Sequence, residues 1–102
     1  MDFRTKLTTR QTTAKSLLCV GLDPVVEKTP DAFRYDANET VNIINHMKHV
    51  VDSTAVHASA FKPNSAFYES LPLSVEYDRP LEFLIDYINV KYPDIPIILD
   101  VK

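Results

Sequence analysis

Short, wholly apolar runs alternate along this chain with longer amphipathic stretches, and that alternation predicts its elements. Leu17 to Leu22 (LLCVGL) is a continuous apolar run that ends at Asp23-Pro24. A run this short, with a polar and proline stop, predicts a strand buried on both faces. Val41, Ile44, Met47, Val50 and Val51 then recur at helical spacing, which leaves Glu39, Asn42, Asn45, Lys48 and Asp52 for solvent. Asp36-Ala37-Asn38-Glu39 reads as a capping box opening that helix, with Asp36 as the cap. Ala55 to Phe61 predicts a second strand that stops at the lysine of Lys62-Pro63-Asn64, because the proline removes a ladder donor. A second long helix is predicted from Pro80 to Tyr92, capped by Asp78 and striped by Leu81, Leu84, Ile85 and Ile88. Ile95 to Val101 (IPIILDV) is the third strand, and residues Met1 to Ala14 predict a short helix ahead of the first.

Strand, helix, strand, helix, strand is the order of a parallel α/β sheet, because parallel neighbours need a crossover and a helix supplies it. Side chains alternate along a strand. Asp100 and Lys102 therefore share a face with Ile98, Asp23 with Gly21 and Cys19, and Lys62 with Ala60 and Ala58. Leu18, Val20 and Leu22, then His57, Ser59 and Phe61, then Ile97, Leu99 and Val101 take the helix-covered face. Each strand thus carries its charged residue at its C-terminal end, on the face opposite most of its bulky packing. Two carboxylates and two ammoniums at one sheet edge compensate each other, which four like charges cannot do. That edge is also where α/β folds place ligands.

Composition narrows the reading. The 102 residues make one domain or part of one, with no linker dividing them. A net charge of -3 without a cationic run removes the footprint of a nucleic-acid or anionic-membrane binder. One glycine, Gly21, excludes a Gly-rich dinucleotide or phosphate loop from this segment. The single Cys19 is predicted to be a buried thiol in a reducing compartment. The opening MDFRTKLTTRQTTAKS lacks a signal-peptide core, so a cytoplasmic location is expected. His46 and His49 stand at metal-compatible spacing but without a third ligand, so they read as solvated or edge-packed, and no metal is assigned. Tyr68, Tyr77, Tyr87 and Tyr92 read as packing residues with wet hydroxyls.

LCVGLDP (Leu18 to Pro24), FKPNSAFYE (Phe61 to Glu69) and ILDVK (Ile98 to Lys102) resemble the first three strand-end motifs of orotidine 5'-monophosphate decarboxylase, especially the subfamily with a K-P-N-x-A-F-Y-E segment. The resemblance implies a (β/α)8 TIM barrel that acts as a homodimer. It also implies an enzyme that converts orotidylate to uridine 5'-monophosphate, in pyrimidine biosynthesis, without metal or organic cofactor. By resemblance, Lys102 protonates the ring carbon left as a carbanion. Asp100 stands beside the substrate carboxylate and holds Lys102, Lys62 links that network to the ribose, and Asp23 binds a ribose hydroxyl.

The family motif continues D-x-K-x-x-D, and its last aspartate falls three residues after Lys102, past the end of this sequence. A complete barrel takes about 250 residues. The expectation is that residues 1–102 are the first three βα units, the N-terminal part of a single barrel domain, and are inactive alone. Two other readings accompany this one: a metal-dependent sugar-phosphate enzyme of the same suprafamily, such as a hexulose-phosphate synthase, and a non-catalytic fragment that acts in assembly.

Overall fold

Asp2 caps the first helix, α1 (Phe3–Ala14), by accepting the Thr5 amide at 2.7 Å. The structure, a computed structural model, describes residues 2–100. The helix expected at the N-terminus is present, but it buries no residue of its own. A polar clamp holds it instead: Arg10 donates from Nε to the Ala58 carbonyl at 2.9 Å and from Nη2 to the Ala55 carbonyl at 2.6 Å. Lys15 ends α1 in the left-handed conformation, φ 52°.

The first strand is shorter than its apolar run. It is β1 (Cys19–Leu22), whereas Leu17 and Leu18 are exposed, and the Leu18 amide is taken by the Ser16 hydroxyl at 3.0 Å. The strand is not buried on both faces. Leu22 is buried and Val20 half-buried, but Cys19 and Gly21 are exposed, since helices cover one face of the sheet only. The Cys19 thiol is accordingly exposed rather than buried.

Glu39–Thr54 forms α2, where a helix is predicted, but its cap is Asn38 and not Asp36. Asn38 Oδ1 accepts the Val41 amide at 3.2 Å, while Asp36 Oδ1 accepts the Asn38 amide at 2.8 Å. Asn42, assigned to solvent by its helical position, is buried. Its Oδ1 accepts the Asp36 amide and its Nδ2 donates to the Asp36 carbonyl, both at 2.9 Å. The loop entering α2 folds back over that side chain.

The predicted second strand begins too early. α2 runs to Thr54, and Ala55 to His57 make a closing turn in which the His57 and Ala58 amides both return to the Thr54 carbonyl. Val56 and His57 are consequently exposed, and His57 does not face the helix layer. The strand itself is β2 (Ala60–Pro63), which runs one residue past the lysine. It pairs in parallel with β1, Cys19 opposite Ala60 through Leu22 opposite Pro63.

Along the other edge of β2 lie residues 96–100. Phe61 N–H donates to the Pro96 carbonyl, Ile98 N–H to Phe61 and Asp100 N–H to Pro63, at 3.0, 2.8 and 3.1 Å. In place of the continuous strand predicted for 95–101 there are two isolated parallel bridges, Phe61 to Ile97 and Asn64 to Asp100. The rung that residue 63 would donate to the Ile98 carbonyl is missing because proline has no N–H. Val101 lies outside the described residues.

Two more helices complete the fold. α3 (Ser65–Glu69), which the sequence pattern did not predict, follows β2 directly, and α4 (Pro80–Lys91) matches the second long helix. Arg79 occupies the α4 cap position without a side-chain capping bond, so Asp78 is not the cap. Leu22, Phe61, Ile44, Val51, Leu84 and Ile88 are fully buried between the sheet and helices α2 and α4. Each such side chain contributes about 1.5–3 kcal/mol through burial.

A polar strut joins the same two helices at their rim. Tyr87 and Tyr92 each donate a hydroxyl to Asp52 at 2.7 Å, and Lys91 Nζ lies 3.0 Å from the same carboxylate. These two hydroxyls are therefore bonded to protein rather than left to water. Tyr77 is buried against Phe83, their ring centroids 4.6 Å apart.

Candidate active site at the strand ends

Parallel pairing brings the C-terminal ends of all three extended segments to one edge. Leu22 is the last residue of β1, so Asp23 is the first beyond it. On β2, Lys62 lies directly opposite Gly21, and Asp100 bridges to Asn64. Pairing Phe61 with Ile97 and Asn64 with Asp100 aligns Lys62 with Ile98, so Asp100, two residues on, shares the Lys62 face. That is the open face of the sheet: Gly21, Asp23 and Lys62 are exposed and Asp100 is half-buried, whereas Leu22 and Phe61, one residue out of phase, are fully buried. The structure thus brings together Asp23, Lys62 and Asp100 from three separate segments. Lys102 lies outside the described residues.

Gly21 shapes the middle of the face. A Cβ at this position would lie 3.7 Å from Asp23 Oδ2, so the carboxylate folds back over the glycine. The same glycine leaves space beside its pairing partner, Lys62. Ion pairs among the described residues lie elsewhere, at Arg34–Asp31, Arg79–Glu82 and Lys91–Asp52. The strand-end charges Asp23 and Lys62 are exposed and Asp100 is half-buried.

Behind the face, α3 ties the strand ends together. Asn64, immediately after β2, caps α3 by accepting the Ala66 amide at 3.1 Å. The first amide of α3, Ser65 N–H, donates to the Asp100 carbonyl at 3.0 Å. Tyr68, near the other end of α3, is buried and donates its hydroxyl to the Leu22 carbonyl at 2.7 Å. Its hydroxyl is therefore not wet. Burial, with the nearby Asp23 charge adding to it, pushes the phenol pKa well above its ordinary value, so the hydroxyl stays a donor. The signal for this helix was present in Pro63-Asn64-Ser65, an asparagine cap straight after a strand-ending proline. Five residues are too few to display a helical period.

His46 and His49 pack on Phe33, with ring centroids 5.2 and 5.3 Å apart. Burial first, and the neighbouring His49 second, hold the His46 pKa below its usual value. Among the described residues no group of three His, Cys, Asp or Glu side chains is placed to hold a metal ion. No helix there is long and apolar enough to cross a membrane. The cleft lined by Glu27, Thr29, Arg34 and Asp36 includes none of Asp23, Lys62 and Asp100. The site is an open sheet face rather than a closed pocket.

A parallel sheet covered by helices on one face, with charged residues at its C-terminal edge, defines the class: an α/β protein built as part of a (β/α) barrel. Comparison with known proteins gives the particular relationship. No family model matches the chain. In sequence, the chain is homologous along its whole length to orotidine 5'-phosphate decarboxylases. It is 40% identical over 102 residues to the one from Leptospira interrogans, covering 100% of this chain and 35% of that protein. With the Cellvibrio japonicus protein of the same name the identity is 40% over 103 residues, covering 100% of this chain and 36% of the relative. A crystal structure from Toxoplasma gondii, assigned as an orotidine-monophosphate-decarboxylase, superposes with a TM-score of 0.71 at 27% identity, covering 96% of this chain and 30% of that one. The chain spans about a third of the length of the curated relatives it matches.

Proposed function

We propose that residues 1–102 form the N-terminal part, the first three βα units, of an orotidine 5'-phosphate decarboxylase. The completed barrel releases carbon dioxide from orotidine 5'-monophosphate to give uridine 5'-monophosphate. The observation that carries this reading is the convergence of Asp23, Lys62 and Asp100 on one open strand-end face, in a chain homologous throughout to proteins of that name. As a cytoplasmic carbon–carbon lyase acting as a homodimer, the enzyme needs no cofactor.

In this reading the bond from the pyrimidine ring to its carboxylate breaks, the electron pair stays on the ring carbon, and Lys102 Nζ delivers the proton that replaces carbon dioxide. Asp100 stands beside the departing carboxylate and holds Lys102. Lys62 links that pair to the ribose, and Asp23 takes a ribose hydroxyl. Desolvation alone would lower a lysine pKa and discharge it, so a proton-donating lysine in a closed site needs carboxylates beside it. Fixed charges of this kind stabilise a developing anion without reorganising during the reaction.

Loss of orotidylate absorbance on adding the full-length protein tests the reading. Lys102→Ala is expected to bind uridine 5'-monophosphate while losing turnover by several orders of magnitude. Full activity in that variant would remove Lys102 from its role, and no turnover by the unmodified full-length protein would overturn the function itself. Residues 1–102 alone are expected to be inactive.

A further inference from the structure

The hydroxyl of Tyr68 donates to the Leu22 carbonyl at 2.7 Å, and both residues are buried. That carbonyl sits where the pairing of β1 with β2 ends, at the Leu22–Pro63 pair. It also belongs to the peptide unit that carries Asp23. A peptide unit is planar, so fixing the direction of its carbonyl fixes the Asp23 N–H and Cα as well. On the other flank stands Pro24, which is buried and confines Asp23 to extended backbone angles. Asp23 is thus held between a hydrogen-bonded peptide and a proline, with its carboxylate lying back over Gly21.

Tyr68 in turn takes its place from α3. The Asn64 cap fixes the start of that helix against β2, and Ser65 N–H fastens it to the Asp100 carbonyl. One five-residue helix therefore connects the ends of all three segments: β2 by covalent continuity, the 96–100 segment by a backbone bond, and β1 by the Tyr68 hydroxyl. A phenylalanine would fill the same ring space. Only the hydroxyl reaches the Leu22 carbonyl.

We propose that Tyr68 is a positioning residue of the strand-end site, acting through the Leu22 carbonyl to aim the Asp23 carboxylate at a ribose hydroxyl of the nucleotide. This rests on the decarboxylase reading, and it assigns ribose recognition to a pair, Asp23 with Tyr68 behind it.

The test compares binding of uridine 5'-monophosphate and its 2'-deoxy and 3'-deoxy analogues to the full-length protein by calorimetry. The unmodified protein is expected to prefer the ribonucleotide over at least one analogue. Tyr68→Phe is expected to lower that preference about tenfold, which is about 1.4 kcal/mol, with little change in affinity for the disfavoured analogue. In an Asp23→Ala background the Tyr68→Phe substitution should add almost nothing, the mark of two residues acting as one. A role in packing alone would weaken all three nucleotides equally and add to Asp23→Ala. If Tyr68→Phe does not fold, Tyr68→Met, which fills the space without a hydroxyl, undergoes the same comparison. Full ribose preference in the folded variant, or additive effects, overturns this proposal while leaving the decarboxylase reading intact. An unmodified protein that binds no uridine 5'-monophosphate overturns both.

Discussion

Asn42→Ala is the substitution in which structure and helical pattern make opposite forecasts. By its position on α2, Asn42 belongs to the solvent-facing set, and an exposed alanine would be neutral or slightly favourable. In the fold its side chain is 6% exposed and makes two bonds to one residue, accepting the Asp36 amide and donating to the Asp36 carbonyl, each at 2.9 Å. Truncation removes both and leaves a backbone N–H and C=O without partners. Each such bond contributes about 0.5–1.5 kcal/mol net, so the expected loss is about 1–3 kcal/mol. Urea titration followed by circular dichroism reads this as a lower midpoint at an unchanged slope. Asn45→Ala is the control: its amide donates to the exposed Tyr35 hydroxyl at 2.6 Å, and the change should stay within about 0.5 kcal/mol. An Asn42→Ala variant as stable as the control would refute the argument that this side chain closes the entrance to α2.

Two further outcomes follow from the packing and the rim. Phe61→Ala should cost about 3–5 kcal/mol in the same titration, because the ring is fully buried at the centre of the three-segment sheet. Asp52 is pulled upward in pKa by partial burial, but hydrogen bonds from Tyr87, Tyr92 and Lys91 outweigh this and hold it below its ordinary value of 3.8. A carboxyl lowered on folding stabilises the folded state above its unfolded pKa, and that contribution is lost as pH falls through the lowered value. The stability advantage of the unmodified protein over Asp52→Asn should therefore be complete at neutral pH and shrink below about pH 4. An advantage independent of pH would show that the strut works without its charge.

Local pattern on its own determined the succession of β1, α2, β2 and α4, though not α3, and the charged residues that follow the extended segments. Periodicity is a property of the chain, and charged residues following short apolar runs mark where buried strands reach the surface. It also gave the parity that puts Asp23, Lys62 and Asp100 on one face, because side-chain alternation holds for any strand, however short.

Local pattern placed the boundaries less well. Ala55-Val56-His57 is apolar enough for a strand, but α2 propagates to Thr54 and the chain turns on its last carbonyl. Cys19 looks buried in its apolar run, yet its burial depends on what covers that face of the sheet, and the helices cover the other. Asn42 depended on how the loop six residues upstream folds back over it, and Tyr68 on tertiary structure. Each is a polar side chain whose partner is a backbone group, and helical periodicity encodes neither partner. The charged residues Asp23, Lys62 and Asp100 at the strand ends could be named from the sequence. What holds one of them in place, a tyrosine on an unforeseen five-residue helix, became visible only once the strands were side by side.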